Sequence, residues 1–196
     1  MEISAFFKAL ILCLDFASAY NYRLILENEE IFTTCSHQPS NVLAASNFFD
    51  LSELHTKEIG DKIEVSGNVT SIWNYEPTDR LQASITGLRY ERGEWINALL
   101  SMNVHDVCSL LYDKRQYWYK FWTQYITNVE DVKDKCFLNG TKLIHKTFIY
   151  DININIITLI PEGRYKVVVI IKAIDKRQKV RNPIFCIEIL GDVKRS

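Results

Sequence analysis

His105 and Asp106, just ahead of Cys108, form the one local cluster in this sequence with the makings of acid–base chemistry. An imidazole beside a carboxylate could take a proton from a nucleophile. Neighbours on a strand, however, point to opposite faces, so the pair reads as a satisfied polar contact, with Asp106 serving as the N-cap of a following helix. No nucleophile elbow, phosphate loop, paired-histidine zinc motif or dinucleotide fingerprint accompanies it. Nothing here marks a catalytic residue, a cofactor or a metal site, and the chain reads as a non-enzyme.

The remaining chemistry lies in cysteines and asparagines, and it depends on compartment. Residues 1–19 carry Lys8, the apolar run Ala9 to Leu14 and the small-x-small triplet Ala17-Ser18-Ala19, which is the pattern of a secretory signal peptide cut before Tyr20. Its removal discards Cys13 and leaves Cys35, Cys108, Cys136 and Cys186. Four cysteines without a close pair predict two disulfides, with three pairings open. Zinc is disfavoured, because none of these cysteines has a second ligand at metal-site spacing. Asn68-Val69-Thr70 and Asn139-Gly140-Thr141 are glycosylation acceptors in the same secreted setting.

The elements that must position these residues belong to one domain, residues 20–196, with no linker or repeat inside it. Taking Glu2, Asp15 and Lys8 out of the 24 acidic and 23 basic residues leaves 22 of each. That balance offers no field to draw in nucleic acid. From Ile63 to Tyr75 the pattern alternates, with Val65, Val69 and Trp73 on one face and Asn68 on the other, which predicts a strand with one wet face. Leu81 to Tyr90, and then Ile96, Ala98, Leu100, Met102 and Val104, continue it as an antiparallel meander. The period next becomes helical: one amphipathic, aromatic helix is expected from Asp106 to Ile126, carrying Trp118, Phe121, Trp122 and Tyr125. Strands return at Lys142 to Ile152, Arg164 to Asp175 and Pro183 to Leu190, the first two as a hairpin around Pro161-Glu162-Gly163, and Tyr22 to Leu26 adds another. Seven strands and one helix make a mainly β protein, an antiparallel β-sandwich or β-cup.

Asn97-Ala98-Leu99-Leu100 running through Val104-His105-Asp106-Val107-Cys108, the aromatic segment after it, Cys136 ahead of a strand, and Ile184-Phe185-Cys186-Ile187-Glu188 together resemble the insect chemosensory-B (CheB) proteins, which are related to the lysosomal ganglioside activator of the lipid-recognition type. The resemblance spans nearly all of the mature chain. It implies a β-cup with an apolar cavity for lipid or hydrocarbon and a role in taste-organ detection of pheromones. It also implies the pairing Cys35 to Cys186 and Cys108 to Cys136.

On that footing the expected function is a secreted, extracellular carrier or presenter of an apolar ligand, with a sensory membrane receptor or channel as a further partner. A receptor accessory domain without its own ligand, or an activator of a lipid-acting enzyme, are the alternatives. Inward parity selects Trp73, Leu100, Met102, Val167 and Val169 as strand-borne lining residues; Trp118, Phe121, Trp122 and Tyr125 are the helical ones, with core packing as their other reading. Such a pocket needs no polar group, since each buried methylene contributes about 0.8 kcal/mol.

Overall fold

The computed structural model describes residues 19–36 and 39–196, so the expected signal segment lies outside the described residues except for Ala19. Within them the chain forms eleven strands: β1 (Tyr20–Leu26), β2 (Val42–Ala44), β3 (Phe49–Asp50), β4 (Leu54–Ile59), β5 (Lys62–Ser71), β6 (Arg80–Glu91), β7 (Glu94–Val104), β8 (Lys142–Tyr150), β9 (Ile152–Ile156), β10 (Gly163–Ile174) and β11 (Val180–Arg195). β5, where alternation is plain, and β10, apolar on both faces, become inner strands. β10 lies between β6 and β11 in a sheet ordered β7-β6-β10-β11-β1-β9, and β5 is flanked by β3 and β4 on one edge and β8 on the other. The short β2 runs parallel to β11.

Two expected pairings are replaced. β6 and β7 form the hairpin read from sequence, but β5 does not join their meander, because the chain leaves its sheet after Ser71 and crosses to the other one at Arg80. Trp73, buried in that crossing, is the anchor: it packs on Phe48 and Phe185 and pins an otherwise largely exposed connection to the core. Nor do β8 and β10 form a hairpin. Asp151, held by Arg23 and Lys62, ends β8, and the chain continues as β9 along β1 before β10 begins. A hairpin that sequence reading passed over joins β4 to β5 through Gly60-Asp61, with Gly60 at φ 65°.

The single helix expected from Asp106 to Ile126 is divided. It becomes α1 (Val107–Leu110), α2 (Tyr117–Phe121) and a 3-10 turn over Thr123–Tyr125, with a further turn, α3 (Val129–Val132), ahead of Cys136. Asp106 caps α1 as expected, accepting from the Ser109 N–H at 3.2 Å. Between α1 and α2, Asp113 accepts from the Arg115 backbone N–H at 3.0 Å and from its guanidinium, a local turn that competes with helix. Those bonds hold the Asp113 carboxyl well below its ordinary range. Thr123 Oγ1 donates to the Leu111 carbonyl at 2.9 Å, folding the segment back on itself.

Both disulfides implied by the resemblance are present: Cys35–Cys186, with Cα atoms 5.9 Å apart, and Cys108–Cys136 at 5.3 Å. The first ties the N-terminal segment to β11 beside a buried pair, Lys166 to Glu188 at 3.0 Å, in which the Ser36 backbone N–H also donates to Glu188 at 3.3 Å. Buried side chains gather in two clusters. One is centred on Phe48, Trp73, Leu81, Leu143 and Phe185, the other on Tyr22, Val65, Phe148, Tyr150 and Tyr165. No helix among the described residues is long and apolar enough to cross a membrane.

Candidate functional site

Register places the inward side chains of the larger sheet in rows across its strands. Val104, Ala83, Ile171 and Phe185 form one row, and all four are buried. In the next row, Met102, Ile85 and Val169 are only partly buried, though Ile187 beside them is buried. A third row holds Gly87, Val167 and Ile189. Leu100 overlies Gly87, where an added Cβ would stand 3.0 Å from the Leu100 Cβ, and it remains 37% exposed. Burial therefore fails along a strip of apolar side chains on the concave face of the sheet, although alternation sends every one of them inward.

The aromatic segment meets this strip. Trp118 packs on the same cluster as Met102, Ile85 and Val169, and its indole N–H donates to the Leu110 carbonyl at 3.0 Å. Phe121, Trp122 and Tyr125 join the second cluster with Ala98 and Ile189. Trp122 stands edge-on to Phe32 at 5.0 Å, and Tyr125 stacks on Phe148 at 4.0 Å. Phe32 and Ile189 pack on both clusters and so mark the seam between them. Apolar side chains also stand at the surface on β7 and on the loop after β9, with Leu99 72%, Ile157 76% and Leu159 60% exposed.

The structure thus gathers Leu100, Met102, Val167 and Val169 on adjoining rows and brings the four aromatic residues to the two clusters beside them. Trp73 stands apart, 3% exposed and enclosed by Phe48, Tyr75 and Phe185, which is solid core. Ile85, Ile189 and Phe32 were missed; the alternation Phe185, Ile187, Ile189 was the signal for one of them.

His145 was missed too, and it is the polar residue of the seam. A register shift between Val65 and Gly67 sets one extra residue into β8, so that His145 and Phe148, three apart, both face inward while Lys146 and Thr147 face out. Gly67 sits at that irregularity with φ 98°, and a Cβ there would fall 2.0 Å from the Glu53 carbonyl oxygen, so only glycine fits. The His145 ring is 5% exposed and lies 4.8 Å from the Trp122 ring. Burial pushes its pKa down to about 4; weak hydrogen bonding to the Gly67 and Leu143 backbone offsets part of that, but neither ring nitrogen makes a well-aligned hydrogen bond.

His105 behaves as a surface polar contact: Gln82 lies 3.2 Å from Nδ1, and Arg80 reaches both the ring and, at 3.0 Å, the backbone carbonyl. Asn68 is on the outer face of β5, donating to Glu53 at 2.8 Å, and Asn139 is exposed in the turn before β8. A cleft of about 90 Å³ lies elsewhere, walled by Leu24, Ile63, Tyr150 and the ion-paired Asp61, Lys62 and Asp151, and it contains none of the expected lining residues. It has room for a few waters at most.

No family model matches this chain, and no curated protein does. Among solved structures it is similar to chicken MD-1 complexed with lipid IVa, at 12% identity and a TM-score of 0.30, over 88% of this chain and 98% of that one. A superposition this loose leaves function to be read from the chain's own residues.

Proposed function

We propose that this protein is a secreted, extracellular carrier or presenter of an apolar ligand, a lipid or hydrocarbon, held against the concave face of its larger sheet. The observation that carries the reading is the partly buried strip Leu100, Met102, Ile85, Val167, Val169 and Ile189. A domain of this size has no need to leave six inward apolar side chains short of burial, and a long-chain ligand would complete it, each covered methylene contributing about 0.8 kcal/mol. The aromatic segment supplies the facing wall. Two disulfides and the N-terminal signal pattern support an oxidising compartment, with Asn68 and Asn139 as glycan sites there. The resemblance to chemosensory-B proteins supports a role in taste-organ pheromone detection with a sensory receptor or channel as recipient.

Organic extraction of protein purified from its native tissue, followed by mass spectrometry, tests the reading: a long-chain apolar compound is expected in stoichiometric amount. Its absence, together with failure to take up fluorescent fatty probes, overturns it. A second reading, a receptor accessory domain without a ligand, is favoured by the exposed Leu99, Ile157 and Leu159. Co-purification of a membrane receptor with ligand-free protein would select it.

A further inference from the structure

His145 has no role in the apolar cup just described, and its ring is a polar group set among aromatic neighbours. The ring is buried on the inner face of β8, at the boundary between the two clusters, with Leu143 in the first and Phe148 in the second. Trp122 covers it on one side, and its other ring neighbour is Phe148, 6.2 Å away. Neither nitrogen makes a well-aligned hydrogen bond, the Gly67 and Leu143 backbone offering only weak ones, an arrangement that costs free energy in the empty protein and is rare in native structures unless something comes to the group. The bulge that follows it in β8 keeps Phe148 on the same inner face as this side chain, and it is accommodated by a glycine at a backbone conformation closed to other residues.

We infer that His145 anchors the polar end of the ligand, and that the ligand is a long-chain molecule ending in one uncharged oxygen function, an alcohol, aldehyde or ester, in place of a bare hydrocarbon. This rests on the carrier reading and narrows its substrate class. A neutral imidazole offers one N–H donor and one acceptor nitrogen, so an alcohol oxygen serves either and a carbonyl oxygen serves the donor. The ring's depressed pKa keeps it in that neutral form at physiological pH. A carboxylate would have to shed its water beside a neutral ring and apolar neighbours, which is far more costly than burying an uncharged oxygen that finds a hydrogen bond. The chain then runs from the ring along the seam toward Ile189 and Val169, past Trp122, the side chain a headgroup must displace to reach the nitrogens.

The test uses the full folded chain with two probes of equal length, dodecanol and bromododecane, each measured by displacement of a bound fluorescent fatty probe. His145→Leu is expected to weaken dodecanol about tenfold and to leave bromododecane within about twofold, while His145→Gln, which restores a donor and an acceptor, recovers most of the loss. Dodecanol binding unchanged by His145→Leu, or both probes weakened alike, overturns the anchor while the carrier stands. Failure of the unsubstituted chain to take up either probe overturns the carrier reading and the anchor with it. A readout that needs no substitution is the nitrogen chemical shifts of the His145 ring, which should move with dodecanol and stay with bromododecane; shifts unmoved by dodecanol overturn the anchor.

Discussion

Acid should destabilise this protein through one buried side chain. Burial pushes the His145 imidazole from its ordinary 6.5 to about 4, so the folded state keeps a neutral ring where the unfolded chain would already have bound a proton. A base with a depressed native pKa leaves stability intact above the unfolded value and removes it as pH falls through the interval between the two. The displacement corresponds to about 3 kcal/mol once the interval has been crossed, with about 1 kcal/mol already lost near pH 5.5. Against a typical total of about 5–15 kcal/mol that is a large share. Denaturant unfolding followed by tryptophan fluorescence, in steps from about pH 7.5 to about pH 4, measures it, and His145→Leu provides the reference. Glu27 and Asp151, whose carboxyls are held low by Arg164 and by Lys62 and Arg23, also lose stability in acid, but they do so equally in both proteins and cancel in the difference. The unsubstituted protein should lose stability more steeply than His145→Leu between about pH 6.5 and pH 4. Superimposable profiles would refute the claim that the buried ring is held neutral by the fold.

Two further outcomes follow from the staples and the buried pair. Replacing Cys35 and Cys186 together by alanine releases a separation of 151 residues and should cost about 5 kcal/mol, against about 3.5 kcal/mol for Cys108 and Cys136, 28 residues apart; equal shifts in denaturant midpoint would show that loop length does not set the difference. Lys166→Met strands the Glu188 carboxylate in a site where its side chain is 6% exposed and should cost about 3–5 kcal/mol, most of it recovered when Glu188→Met is added; a double variant no better than the single would show that the loss is packing.

Fold class was legible because it rests on alternation, and β5, β6 and β7 alternate over long runs, while β10 is apolar on both faces as an inner strand is. Sheet membership was not. The residues between Ser71 and Arg80 are compatible with a turn back onto β5 or a crossing to the other sheet, and only the burial of Trp73 among Phe48 and Phe185 decides it. β4 escaped notice because only Leu54 and Thr56 of its six residues are even partly buried, leaving no apolar rhythm to read. The aromatic segment has helical periodicity, yet periodicity does not report that Asp113 closes a local turn with Arg115 and divides the helix. Parity found four of the strip residues and placed Trp73 correctly on the inner face. It could not separate a side chain enclosed on every side from one left half open, since both obey the same alternation.

Parity alone could not set His145 and Phe148 on one face. A strict alternation that buries Leu143 and His145 would place Thr147 and Ile149 inward and turn Phe148 and Tyr150 out. The extra residue in β8 resets the count, so a polar ring and two aromatic side chains share the concave face. β7 departs from regular pairing in a related way: Thr86 faces Ser101 and Leu88 faces Asn97, so three residues, Ala98 to Leu100, stand against Gly87 alone. That irregularity puts Leu100 over the glycine and Leu99 into solvent beside the half-covered strip. Of the register breaks, the one in β7 falls where the core stays open, while those in β8 and between β10 and β11 lie among buried side chains. Deleting Lys146 or Thr147 would therefore be expected to leave His145, Phe148 and Tyr150 together on the inner face of a regular strand, because the bulge does no more than absorb the second of the two outward residues between them.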